Sequence, residues 1–134
     1  MRAAPTVIAA VLAAALSLPH PAAAGLGDER EVTERLIVVG MADQLRKTCG
    51  DVDARMVRAY SYLRDIARIA LDLGYDRATI EAYIEDREVK DGLRAVAARR
   101  LEARGVRAGD VAAHCRAARE EIARGTAVGW LLRD

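Results

Sequence analysis

The sequence predicts an all-α fold: a small bundle of four to five helices around an antiparallel helix pair, fastened by one disulfide. Three observations predict it. Apolar residues recur at steps of three and four through long stretches, and no strand-like alternation appears. Those stretches are separated by Gly and Asp residues placed where helices end and begin. The composition is rich in alanine and arginine and has no Phe, which favours helix.

The first 24 residues read as a cleavable export signal and not as part of the fold. Arg2 supplies a positive start, and Val7–Leu18 is an apolar run too short for a comfortable membrane span. Pro19 and Pro21 break the run, and Ala22-Ala23-Ala24 satisfies the small-residue rule for a cut before Gly25. Residues 25–134 are then a single helical domain, expected in the periplasm, with no further membrane-spanning run. No cysteine follows the cut, so a lipid anchor is not expected. The chain has 21 basic and 20 acidic residues. Arg2 leaves with the signal, so the two signs balance. That argues against a general nucleic-acid binder.

The first mature helix is expected over Gly25–Thr48. Asp28 and Glu31 have capping-box spacing, and the run from Val32 through Leu36-Ile37-Val38-Val39 to Met41 and Leu45 is apolar nearly all round. Such a helix is central or covered on two sides. Gly40 at its middle either permits a close helix crossing or is merely tolerated.

The clearest element is Val52–Leu73. Arg58, Ser61, Asp65, Arg68 and Asp72 form a polar stripe. Met56, Ala59, Tyr60, Leu63, Ile66, Ala67, Ala70 and Leu73 form a broad apolar side, expected to be buried against other helices. Asp51 or Asp53 is the expected N-cap. Gly74 suits the position just past the helix end. Asp76 is the expected cap of the next helix, with Tyr75 and Ile80 spaced as a hydrophobic staple.

From Asp76 to Arg104 two apolar stripes run out of phase. Ile80, Tyr83 and Ile84 make one; Val89, Leu93, Val96, Ala97 and Leu101 make the other. A kink or break is expected over Glu85–Glu88. Gly105 ends this stretch and Val106 is expected to fold back on it. Asp110 caps a last helix with Val111, Cys115, Ala118 and Ile122 on one face. Trp130, Leu131 and Leu132 are too apolar to dangle, so they pack on the body or form a docking patch.

Exactly two cysteines in an exported chain read as one disulfide, Cys49–Cys115. A redox pair usually has CxxC spacing, which is absent. His114, the only mature histidine, does not naturally share a ligand with adjacent Cys115, and no metal site is expected; a surface position is the default. Glu81, Glu85 and Glu88 share a helix face and offer carboxylates for acid–base work. Arg77, Arg87, Lys90 and Arg94 are interleaved at pairing distances such as Arg77–Glu81 and Asp86–Lys90, so a solvated, ion-paired face is the expectation. Arg94, Arg99, Arg100, Arg104 and Arg107 form a basic patch suited to an acidic protein surface or anionic headgroups, though such a patch usually faces solvent. Tyr60, Tyr62, Tyr83 and Trp130 read as core and rim aromatics. There is no nucleophile elbow, phosphate loop or haem motif, and Ser61 is the only mature serine. No catalytic residue and no cofactor is assigned.

Several stretches carry a family resemblance: Ala42-Asp43-Gln44-Leu45-Arg46 with Cys49; Met56 with Ala59-Tyr60-Ser61-Tyr62; Leu73-Gly74-Tyr75-Asp76; and Ile80-Glu81-Ala82-Tyr83-Ile84-Glu85-Asp86. His114-Cys115, Ile122-Ala123-Arg124 and Gly129 with Leu132-Arg133 complete them. The chain resembles a group of short, exported alphaproteobacterial proteins classed only as a domain of unknown function. The resemblance spans nearly the whole mature chain and implies a small exported helical protein with paired cysteines. The family usually has Ser or Asp and then Glu at the cap after the Gly-Tyr turn. Here Thr79 stands in the Glu position, so the reciprocal half of that box is missing. Some relatives carry a label linking them to respiratory NADH dehydrogenase, but these residues include no Fe–S or flavin ligand set.

The expected function is that of a non-enzymatic accessory or interaction protein. Its partner would meet Trp130, Leu131 and Leu132 or the arginines Arg99, Arg100, Arg104 and Arg107. The alternatives are a small single-disulfide stress chaperone that loosens in acid, an enzyme using the Glu81/Glu85 face, and carriage of a small ligand.

Overall fold

A computed structural model describes residues 25–134; the expected signal segment and its cleavage site lie outside the described residues. A 3-10 turn, Leu26–Asp28, leads into α1, Arg30–Thr48. A two-residue strand β1, Asp53–Ala54, precedes α2, Met56–Asp72, then α3, Arg77–Glu85, and α4, Arg87–Glu102. The chain ends with α5, Val111–Arg124, the one-turn α6, Ala127–Trp130, and strand β2, Leu132–Arg133. The fold is all-α, with one disulfide joining Cys49 to Cys115.

α1 is the hub. It packs against α2, α4, α5 and α6, as its apolar circumference requires. Gly40 has a packing role: a Cβ there would stand 3.2 Å from the Cβ of Ala97 on α4. The two backbones therefore approach closely, antiparallel, with Glu34 opposite Arg100.

The expected break falls at Asp86, so the described residues form six helices where the sequence suggested four to five. Asp86 adopts an extended backbone and its carboxylate accepts the Val89 N–H at 3.0 Å, starting α4 afresh. A cap stops one helix and starts the next, and the two apolar stripes each find their own orientation. Because Asp86 is committed as a cap, the Asp86–Lys90 ion pair anticipated from spacing is not formed.

The turn after α2 follows the sequence closely. Gly74 has φ +97°, Tyr75 N–H donates to Ala70 carbonyl at 3.1 Å, and Gly74 N–H donates to Leu71 carbonyl at 2.9 Å. This is a Schellman end. Asp76 accepts from Thr79 N–H at 2.7 Å, and Tyr75 and Ile80 meet in one apolar cluster. Val106 folds back through its N–H to the Leu101 carbonyl and is buried. Asp110 accepts from Ala113 N–H, as expected.

Four expectations need correction. The Asp28–Glu31 capping box does not form: α1 starts after Glu29, and Asp28 instead accepts the Gly25 N–H at 3.0 Å within the 3-10 turn. Neither Asp51 nor Asp53 caps α2. Asp53 lies in β1, which pairs antiparallel with β2 (Asp53 opposite Arg133, Ala54 opposite Leu132). The N-cap position falls to Arg55, with no side-chain cap. A ladder this short leaves no alternation to read. α5 is turned from the expected face: it buries Ala113, His114, Ala117, Ala118 and Glu121, while Val111 is exposed. The small alanines permit close approach to α1 and place Cys115 beside Cys49. Finally, much of the apolar side of α2 is left exposed among the described residues.

Candidate functional site: the uncovered side of α2

α2 carries an apolar arc wider than the body beneath it. Ile66 and Ala70 are buried, and Ala59, Tyr62 and Ile69 pack against the core. The adjoining part of the arc faces outward: Val57 is 85% exposed, Met56 72%, Tyr60 66% and Leu63 45%. These residues lie at steps of three and four, so they form one continuous strip. The sequence predicts burial of this side, and among the described residues nothing covers it.

Trp130 extends the strip. It is partly exposed and sits 6.4 Å, centroid to centroid, from Tyr62 in a tilted arrangement. The Arg58 guanidinium lies 5.0 Å over the indole and donates to the Trp130 carbonyl at 3.2 Å. Arg64 lies over the Tyr60 ring at 5.8 Å. Arg55 donates to the Leu132 carbonyl at 2.9 Å. Among the described residues, Arg55, Arg58 and Arg64 form no ion pair with a carboxylate. The strip is therefore apolar, aromatic and bordered by uncompensated positive charge. Tyr, Trp, Met and Arg are the types enriched at protein interfaces.

The other anticipated site residues are distributed differently. Leu131 and Leu132 are core residues, so of the three anticipated apolar tail residues Trp130 alone is open to a partner. Of the arginines, Arg100 holds Glu34 in a bidentate pair, both contacts at 2.7 Å. That contact outweighs the small upward push of burial and keeps the Glu34 carboxyl below its ordinary range. Arg104 pairs with the buried Glu121, whose carboxylate also accepts from the Thr126 hydroxyl. Arg94 pairs with Asp91 at 3.1 Å. Arg99 and Arg107 are exposed. Glu81 and Glu85 are exposed on α3 with no arrangement that brings them to a pocket.

His114 is not on the surface; it is buried under α1. Its Nδ1 lies 2.7 Å from the Asp110 carbonyl, which can only accept, so Nδ1 carries the hydrogen. Nε2 then accepts from the Gln44 amide at 3.4 Å. The signal for burial was the Ala113, Ala117 and Ala118 face around it. Cys49, Asp51 and Cys115 gather within metal-binding distance, but the S–S bond consumes both thiols and Asp51 pairs with Arg119.

A family model matches residues 24–133. The chain belongs to DUF5333, a family of unknown function. No curated protein and no solved structure matches it. Among the described residues of this DUF5333 chain, no helix is long and apolar enough to cross a membrane.

Proposed function

We propose that this chain is an exported, non-enzymatic interaction protein whose docking surface is the uncovered side of α2 together with Trp130. The observation that carries the reading is the strip Met56, Val57, Tyr60 and Leu63, left exposed on the most clearly amphipathic helix of the chain. Its occupant is a protein that presents an apolar strip flanked by carboxylates, because Arg55, Arg58 and Arg64 border the surface without acidic partners of their own. Export is supported by the leader-like first 24 residues and by the disulfide, which suits an oxidising compartment.

The test is a photo-cross-linking amino acid placed at Val57 in the cell that makes the protein, with Ala112 as an exposed control. One adduct of fixed stoichiometry is expected at Val57 and none at Ala112. The adduct should disappear with Tyr60→Glu, weaken with the pair Arg58→Gln and Arg64→Gln, and fade as salt is raised. Equal labelling at both positions, or an adduct indifferent to these substitutions, would sink the proposal.

A further inference from the structure

A groove of about 410 Å³ runs over α1 between α2 on one side and α3 and α4 on the other. Small-molecule sites typically span about 300–1,000 Å³. One end is apolar, made by Val32, Ala70 and Ile80, which belong to the second core cluster. Charge enters only at the other end, from Asp43, Lys90 and Arg94. Lys90 and Arg94 are four apart on α4 and so stand together. Asp43 comes beside them because α1 and α4 run antiparallel.

The balance of those charges favours an anion. Asp43 is already held by Arg46 and Lys47, each at 2.6 Å. Burial pushes its carboxyl up, and those two contacts outweigh burial, so it stays ionised. Arg94 shares an exposed pair with Asp91, the kind of contact worth little. Among the described residues Lys90 forms no ion pair, and Asp86, one turn before it, is used as a helix cap.

We infer that this groove is a binding site for a single-chain aliphatic carboxylate, its alkyl chain along α1 toward Ile80 and its head on Lys90 and Arg94. The site is separate from the α2 strip; the two meet at Leu63, so either can fail without the other.

The experiment is calorimetric titration of the purified protein with octanoate, decanoate and dodecanoate, each below its micelle concentration, and with dodecanol as an uncharged control. Saturable binding should tighten about fifteenfold for each added pair of methylenes. The double variant Lys90→Met, Arg94→Met should weaken dodecanoate about tenfold and leave dodecanol unchanged. Ala67→Trp, which fills the groove from α2, should abolish both. Should that variant not fold by circular dichroism, the exposed Lys90 and Arg94 substitutions still decide the matter. No saturable binding, no chain-length dependence, or equal loss for acid and alcohol would overturn the site. So would binding to anionic vesicles with none to monomeric dodecanoate.

Discussion

Two regions of the molecule are held very differently. At one corner α1, α5, α6 and the β1–β2 ladder are cross-fastened by the disulfide, by buried His114 on Gln44, and by Glu121 between Arg104 and Thr126. Across the molecule α2 rests on α1, and α3 on α4 and α2, through a few residues each, with α2 tied at its start by Arg55 to Leu131 and Leu132. The first region uses nearly every apolar side chain for packing. The second leaves several of its largest in solvent. A small domain that concentrates its stability in one corner is free to present an apolar helix elsewhere.

The sharpest way to break that contrast is to remove its fastening. Replacing Cys49 and Cys115 by Ser opens a link of 66 residues, which the chain-entropy description values at roughly 4 kcal/mol. A urea titration should show the loss, with a much lower midpoint. Amide exchange should change most in α1 and α5. In the native protein α2 and α3 should already exchange faster than α1; after substitution the two regions should become alike.

A second test targets one atom. A Cβ on Gly129 would lie 1.9 Å from the Glu121 carbonyl oxygen, so α6 can cross α5 only without a side chain there. Gly129→Ala should cost about 3 kcal/mol, the upper part of the usual overpacking range. Gly92→Ala on α4 meets open space and should stabilise by about 0.5–1 kcal/mol through helix propensity. Thermal melts of the pair should move in opposite directions.

Much of this architecture was legible because caps and turns are local. Gly74, Asp76, Gly105 and Asp110 each act within a few residues, so their spacing sufficed to place the helix ends. The disulfide was legible from the cysteine count and the leader-like first 24 residues. What escaped was set by tertiary packing. A two-residue ladder has no periodicity, and the rotation of α5 depends on α1 accepting alanines and a histidine. The broad apolar side of α2 was read correctly as apolar but wrongly as buried, because its exposure among the described residues depends on how the other helices pack. For that reason the candidate site became visible only when exposure was known. The groove charge was hidden likewise, since Lys90 is left without Asp86 only once Asp86 caps α4.

The α2 strip should therefore be nearly silent in stability. Tyr60→Ser or Met56→Gln should shift unfolding by less than about 0.5 kcal/mol, as surface changes do. Leu132→Ala, fully buried at the other corner, should cost about 2–5 kcal/mol. Chemical denaturation of the three variants measures this directly. A large loss from Tyr60→Ser would show that the strip is packed in solution, most simply against a second copy.

The smallest effect expected is on pH. Glu34 is held low by Arg100, Asp76 by the Thr79 N–H, and Asp43 is pushed up by burial but brought lower still by Lys47 and Arg46. A carboxylate lowered in the folded state adds stability above its unfolded pKa, and that stability is lost as pH falls through the folded value. Melting temperature should thus be flat near neutrality and decline from about pH 5 downward. Because Glu34 and Asp76 are exposed, solvent screens their contribution and the decline should be gentle. Glu34→Gln should lower the neutral plateau slightly and make the slope shallower, since position 34 then carries no carboxylate to protonate while Asp43 and Asp76 still do. Two of the three groups sit on α1, and only Asp76 belongs to the α2–α3 turn. Acid should therefore loosen the well-fastened half slightly more than the docking surface, narrowing at low pH the difference in stability that amide exchange should find at neutral pH.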